Sequence, residues 1–456
     1  MKRNILLLGL AAGLAGMASA AHPRNQIIVQ TENPGDISRI SSQYGVTVVQ
    51  TIREKERNIY LVAAPNGPSK KTIAAIQTDP SVQSVSSDDE VQITEDQSGQ
   101  RIPPATALDP LGPDLLSHST TTYFGSQVRS GYIQQTGTSL IQLAQTQQQF
   151  PSGDNIVAVI DTGVDPSHPA LASVLVPGYD FVHNVAGYAS ELADLNQSTV
   201  AILDQSTVAI LDQKNYPLVL NQSTVAILDQ STVAILDGHQ LPEAFGHGTM
   251  VSGLIHLVAP TASIMPLKAF QADGTADLAN IVAAIYYAAD HGARVINMSF
   301  STPSRQTALQ EAVAYASSKG VIMIASAGNQ GREMTVFPAG YQGVIGVAST
   351  NHADRRSIFS NYDSDAIRLA APGEALVTTY PGNNYAAVWG TSFSAALVSG
   401  ASALVTDLVP LATTSYATQA FNKGPHIHQN VGGARLDLLP TLQYCQQQPY
   451  PSKVDE

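Results

Sequence analysis

From about Gly153 onward the chain alternates continuous apolar runs with stretches of helical periodicity, and this contrast limits the fold more than any other feature. The runs are NIVAVID (155–161), SIMPLKAF (263–270), RVINMSF (294–300), GVIMIASAG (320–328) and GVIGVAST (343–350). A strand that faces water on one side alternates apolar and polar residues; strands without that alternation are covered on both faces. Between several runs lie helical patterns. DLANIVAAIYYAADHG (277–292) reads as a helix capped by Asp277 and stopped at Gly292, and RQTALQEAVAYASSKG (305–320) as one ending at Gly320. The expected fold is α/β: a mostly parallel sheet with helices on both faces, spanning 151–440, with ligands bound beyond the carboxyl ends of the strands.

The chain before this region reads differently. MKRNILLLGLAAGLAGMASA has two cations, a short apolar run and an Ala-Ser-Ala end, so residues 1–20 are expected to be a secretory signal peptide. Over 21–97 the pattern is strand, helix, two strands, helix, and SVQSVSSDDEVQI (81–93) as a closing strand, the β-α-β-β-α-β order of a small α+β domain. Residues 98–150 read as a processed linker, rich in Pro, Ser, Thr and Asp up to about 122, followed by an N-terminal arm, and 441–456 as a disordered tail. The octapeptide QSTVAILD recurs at 197–204, 205–212, 222–229 and 230–237, inside an insertion at about 191–240. Paired hairpins suit it, and a contact role and a merely structural one both stay open.

The 456 residues are 44% apolar, enough for a sizeable core, and carry a net charge of -13 without basic blocks, which argues against nucleic acid as partner. No later segment is long and apolar enough to span a bilayer. With Cys445 as the single cysteine, no intrachain disulfide can form.

Three short runs can carry chemistry. In NIVAVIDTGVD a buried strand ends on Asp161, either a cap or an acid that orients a histidine. In FGHGTMVSGLI glycines flank His247, either a structural residue or one that substrate can reach. In GTSFSAALVSG Ser392 opens a helix of small residues, either as a cap or as a nucleophile favoured by free N–H groups and the positive end of the dipole. Together, as Asp, His and Ser on a parallel α/β sheet, AVIDTGVD, GHGTMVSG, ASAGNQG and GTSFSAALVSG resemble the subtilisin-like serine proteases, from about Gly153 to Leu439.

The resemblance implies a secreted serine endopeptidase in which Ser392 attacks a peptide carbonyl, His247 relays the proton, Asp161 orients His247, and Asn329 donates to the oxyanion. Ser299, Phe300, Ser301 and Thr302 would form the substrate-binding edge. The small domain would be an inhibitory propeptide, removed by self-cleavage in the linker at about Glu95 to Thr122. Protein or peptide substrates are the implied partners, with the propeptide as an intramolecular one; the sequence carries no signature of an oligomeric state. The chain departs from the family at Met250, Phe393 and Ala396-Leu397, which are packing positions, and at Ser301 and Thr302, where relatives often have two glycines. No cofactor is required for the chemistry. Structural calcium is compatible with NYDSDA, which offers Asp363 and Asp365, although solvated loop acids explain these better. The rival reading is a non-catalytic secreted binding protein using the repeats as its contact surface, and a third is a hydrolase of other acyl groups.

Overall fold

The computed structural model of the chain describes residues 26–55, 57–64, 69–93, 109, 119–195, 226–227, 242, 244–427 and 431–449. The expected signal peptide, most of the linker and most of the octapeptide repeats, with the hairpins expected for them, lie outside these residues. The first unit runs β1 (Gln26–Thr31), α1 (Asp36–Tyr44), β2 (Thr47–Lys55), β3 (Arg57–Ala63), α2 (Lys70–Gln77) and β4 (Val82–Ser87). Its antiparallel sheet has the order β2-β3-β1-β4. Ile27, Val29, Ile40, Tyr60, Val62 and Ile76 bury one face of it under the two helices, giving this unit a core of its own. α1 stops at Gly45, whose φ of +65° favours glycine, and Ser69 caps α2 by accepting from Thr72 N–H at 3.0 Å.

The expected single closing strand is two. After Ser87 the chain leaves the sheet, and β5 (Glu90–Gln92) pairs antiparallel with Thr275–Asp277 of the larger domain. Asp88 and Asp89 make the turn between them. The expected arm is ordered over 119–149. Residues 119–149 form the hairpin β6 (Thr120–Tyr123) and β7 (Ser126–Arg129), then α3 (Ser130–Ile133), α4 (Thr136–Leu140) and α5 (Leu143–Gln149). Its buried Tyr123 and Tyr132 donate to the carbonyls of Leu257 at 2.7 Å and Gly253 at 2.6 Å.

The main domain continues with β8 (Ile156–Asp161), β9 (Gly178–Asp180), β10 (Val185–Gly187), β11 (Ala226–Ile227), α6 (His247–Val258), β12 (Ser263–Lys268), β13 (Thr275–Asp277), α7 (Leu278–Asp290) and β14 (Ala293–Met298). It ends with α8 (Thr307–Ser318), β15 (Ile322–Ser326), β16 (Val344–Thr350), β17 (Ile367–Pro372), β18 (Leu376–Tyr380), β19 (Asn384–Val388), α9 (Thr391–Leu408), α10 (Thr414–Phe421) and α11 (Leu438–Gln447). The sheet order is β10-β9-β12-β8-β14-β15-β16-β17, with every pairing parallel except that of β9 with β10. Alternate residues of each strand serve opposite faces: Val157, Val159, Val295 and Ile324 pack toward α6 and α9, and Ala158, Ile160, Ile296 and Met323 toward α7 and α8. Both faces are covered, as the apolar runs require.

The chain goes from β8 to β12 on one side and returns past β8 to β14 on the other, so the winding reverses at β8. Ligands of open α/β sheets bind at such a switch point, outside the carboxyl ends of the strands. Asp161 is the last residue of β8, and Ser299 follows β14 directly.

Two local expectations change. Asp277 stands at the N-cap position of α7 but makes no side-chain cap bond. The first-turn amides are taken instead by the small unit: Leu278 N–H donates to Asp89 O at 3.0 Å and Ala279 N–H to Asp88 Oδ1 at 2.8 Å. Residues 441–447, expected in a disordered tail, complete α11, with Leu438, Leu442 and Cys445 fully buried on one face. Within the third octapeptide, β11 pairs antiparallel with β19 through Ala226 with Ala387 and Ile227 with Ala386. Among the described residues no helix is long and apolar enough to cross a membrane.

Candidate active site

β8 delivers Asp161 to the switch point, and α6 begins there with His247. His247 Nδ1 lies 2.8 Å from Asp161 Oδ1, and both side chains are 1% exposed. Thr162 N–H donates to the same oxygen at 2.8 Å, so Asp161 is the acceptor and Nδ1 the protonated nitrogen. That leaves Nε2 as the basic position of the ring. The close approach of helix and strand depends on Gly248: a Cβ there would stand 2.0 Å from Gly163 O and 3.2 Å from Asp161 Cβ.

α9 supplies the serine. Ser392 is buried in its first turn, and its Oγ donates to Ser299 O at 3.3 Å, while Ser299 Oγ donates to Ser392 O at 3.1 Å. Asn297 Nδ2 donates to Ser299 Oγ and its Oδ1 accepts from Ser399, both at 2.9 Å, so a polar chain inside the core ties β14 to α9. The neighbouring Phe393 ring lies 5.7 Å from the His247 ring, which brings the heads of α6 and α9 together.

Asn329 sits in the loop after β15. Its Oδ1 accepts from Thr391 N–H at 3.0 Å and from Thr391 Oγ1 at 2.9 Å. Nδ2 is then the donor end of the amide, 3.7 Å from where a Cβ on Gly390 would stand, beside the loop entering α9. Asp161, His247, Asn329 and Ser392 thus converge, from four separate stretches, on one end of the sheet.

The expected substrate-binding edge divides by function. Phe300 is fully buried against Phe270, with ring centroids 5.1 Å apart, and Ser299 is buried as described, so their side chains face the core. Thr302 is held by Phe337 through backbone bonds of 2.7 and 2.9 Å. Ser301 pairs in antiparallel fashion with Gln92 of the small unit, and β13 pairs with the other side of β5. The next residue, Ile93, is 1% exposed and donates its N–H to Gly274 O at 2.9 Å.

Residues without a sequence signal complete the surroundings. Glu191, in the 3-10 turn Glu191–Asp194, is fully buried. It accepts from Thr162 Oγ1, from Gly248 N–H at 2.9 Å and from Thr249 Oγ1 at 2.6 Å. Burial pushes its carboxyl up to about 7, against the hydrogen bonds of Thr162 and Thr249. Lys268, also fully buried, donates to Thr162 O and Asp194 Oδ2 at 2.7 Å. Asp363 Oδ1 accepts from Asp365 N–H at 2.8 Å and from Ala366 N–H at 3.3 Å, and its other oxygen meets Thr335. Among the described residues no group of three or more His, Cys, Asp or Glu is arranged to hold a metal ion.

A profile of the Subtilase family matches residues 153–422. The chain is similar to the thermophilic serine proteinase of Bacillus sp. (strain AK1), 34% identical over 259 residues that cover 55% of this chain and 51% of that protein. It is also similar to thermitase of Thermoactinomyces vulgaris, 31% identical over 281 residues covering 59% and 81% respectively. The matched part therefore spans about half the length of the first relative and most of the second. Among solved structures, fervidolysin from Fervidobacterium pennivorans, a keratinolytic enzyme related to subtilisin, aligns with a TM-score of 0.66 at 20% identity. That alignment covers 94% of this chain and 61% of fervidolysin, and it is a likeness of fold.

Proposed function

This chain belongs to the subtilase family, and we propose that it is a serine endopeptidase exported as a self-inhibited zymogen. The observation that carries the reading is the buried 2.8 Å contact between His247 Nδ1 and Asp161 Oδ1, at the head of the helix that meets the Ser392 helix. In this reading Ser392 Oγ attacks the substrate carbonyl while His247 Nε2 takes the hydroxyl proton; the C–O bond forms as the carbonyl pair moves to oxygen. The Asn329 amide and the Ser392 N–H hold that oxyanion. Collapse breaks the peptide C–N bond, with His247 returning the proton to the leaving amine, and water then repeats the sequence on the acyl-enzyme. Asp161 keeps the ring in the productive tautomer and balances its positive charge. No cofactor enters any step.

The small unit is the proposed inhibitor. Its β5 occupies the space between β13 and Ser301, where an extended peptide would pair with the edge of the site. A chain that keeps the register of Gln92 with Ser301 brings the residue two positions on opposite Ser299, whose carbonyl accepts the Ser392 hydroxyl. The proposed self-cleavage is therefore just past Ile93, at Thr94–Glu95.

The test expresses residues 21–456 as wild type and as Ser392→Ala and follows chain size and casein hydrolysis. The reading expects the wild type to shorten, to begin at or next to Glu95 by N-terminal sequencing, and to digest casein, while the variant stays long and inert. Two folded, intact and inactive proteins would sink the endopeptidase and leave the repeat-bearing binding protein. Casein left intact while a small ester is hydrolysed would instead favour the acyl hydrolase.

A further inference from the structure

We infer that Glu191 is a positioning residue for the His247–Asp161 pair, clamping the start of α6 to the end of β8 from the root of the octapeptide insertion. This rests on the endopeptidase reading above. α6 starts without a capping side chain, because Gly246 holds the N-cap position at φ +91°, and the histidine is its first residue. An uncapped helix start frays, and the imidazole would move with it. The carboxylate of Glu191 takes over that role from outside the helix. Its Oε1 accepts from Gly248 N–H at 2.9 Å, from Thr249 N–H at 3.4 Å and from the Thr162 hydroxyl; its Oε2 accepts from Thr249 Oγ1 at 2.6 Å. Thr249 Oγ1 in turn accepts from Asp165 N–H at 2.8 Å, so its own hydrogen is left for Glu191, the arrangement of the carboxylate ionised above about pH 7.

One side chain thereby binds both partners of the pair through their immediate neighbours, Thr162 beside Asp161 and Gly248 beside His247. The same turn holds the strand side a second time: Asp194 accepts from Lys268 Nζ at 2.7 Å, and Lys268 donates to Thr162 O at 2.7 Å. The turn is itself fixed by Val164 and Ala189 through backbone bonds of Val164 N–H to Ala189 O at 2.9 Å and Glu191 N–H to Val164 O at 3.2 Å. The first octapeptide begins at Gln197, three residues after Asp194, so this clamp lies at the N-terminal end of the insertion. The other ionisable groups around the carboxylate are Asp161 and Asp165 on the β8 side, His247 on α6, Lys268 on β12 and Tyr380 on β18.

The test uses the full chain carrying Glu191→Ala or Glu191→Gln, assayed on a short peptide p-nitroanilide across pH. A misplacement of about 1 Å at a catalytic base costs on the order of 100-fold. The expected result for Glu191→Ala is a fall in kcat of about 30- to 100-fold with KM within about threefold. Glu191→Gln, whose carbonyl oxygen can still take the Gly248 and Thr249 amides, recovers at least a third of the wild-type kcat. Its limb near pH 7 moves to lower pH, because the negative charge that Glu191 carries above about 7 no longer faces the imidazolium. An Ala variant with unchanged kcat, or one whose loss follows only the fraction of folded protein with an unmoved pH profile, overturns the inference. A second readout is independent of turnover: in Ser392→Ala, NMR follows the His247 Nδ1 proton and the exchange of the Gly248 and Thr249 amides. Faster exchange and an altered Nδ1 proton on adding Glu191→Ala support the clamp, and identical spectra overturn it. An inactive wild type with the expected NMR changes would remove the endopeptidase reading and leave the clamp standing.

Discussion

Thr391 donates twice to Asn329 Oδ1, from its backbone at 3.0 Å and its hydroxyl at 2.9 Å, and so selects which end of the amide faces a developing oxyanion. The donor is oriented before substrate arrives, which is where electrostatic stabilisation gains over solvent water. Asn329→Leu is expected to lower kcat by about 100- to 1,000-fold, the magnitude such a donor supplies in subtilisin itself, with KM nearly unchanged; initial rates on a peptide substrate check it. Thr391→Val, which keeps the N–H but loses the hydroxyl, is expected to cost about tenfold or less. Asn329 itself was legible only through the resemblance that SAGNQG bears to the family's motif. Thr391 and Glu191 were not, since nothing in a linear pattern tells a threonine that orients an amide from one that starts a helix.

At the scale of elements, the small unit and the main domain share structure rather than merely touching. The amides of α7 are satisfied by Asp88 and Asp89, and Arg53, 7% exposed, lies 5.1 Å over the Tyr286 ring and 4.5 Å over that of Tyr315 while paired with Asp290. Truncating one partner of a buried, hydrogen-bonded charge pair costs about 2–5 kcal/mol at an interface. In the proposed zymogen, Arg53→Ala should therefore weaken the cleaved inhibitor by at least about tenfold and shorten the lag before casein hydrolysis in an unpurified maturation mixture. An unchanged lag would remove Arg53 as an anchor. The far end of the chain is also part of the body. Leu442 is fully buried where α11 meets the core, so Leu442→Ala in the Ser392→Ala background should lose about 2–5 kcal/mol of stability, read as a lower denaturant midpoint. The Gln-rich end of that helix concealed it, since Leu438, Leu442 and Cys445 mark one face across only two turns.

Across the whole molecule, two buried groups pull stability in opposite directions with pH. Burial pushes Glu191 up to about 7 from an ordinary 4.5, so the folded chain holds a proton that the unfolded one has released; its contribution is full below 4.5 and is lost as pH rises through 7. Burial lowers His256 to about 4 from 6.5, so its contribution is full above 6.5 and is lost as pH falls through 4. Each effect is of order 3 kcal/mol at about 1.4 kcal/mol per pH unit, so between 4.5 and 6.5 they nearly cancel. In denaturant unfolding of Ser392→Ala, adding Glu191→Gln should steepen the decline of stability toward acid over that range. A Glu191→Gln profile with the slope of its parent would show that Glu191 does not oppose His256 in this way.

The sequence by itself determined the layering. Apolar runs without alternation are covered on both faces, so the parallel sheet, its flanking helices and the β-α-β-β-α-β unit were readable from periodicity; the Asp161, His247 and Ser392 runs stood out at strand ends and helix starts, and their roles and that of Asn329 came from the family resemblance that the four motifs carry together. Tertiary structure decided what long-range contact decides. It sent β5 out of its own sheet and onto β13, gave the cap of α7 to another unit, turned the expected tail into α11, and placed Glu191 against a histidine helix 56 residues further on. Each of these depends on a hydrogen bond or apolar face whose partner is remote in the chain, and period and propensity act only over a few turns.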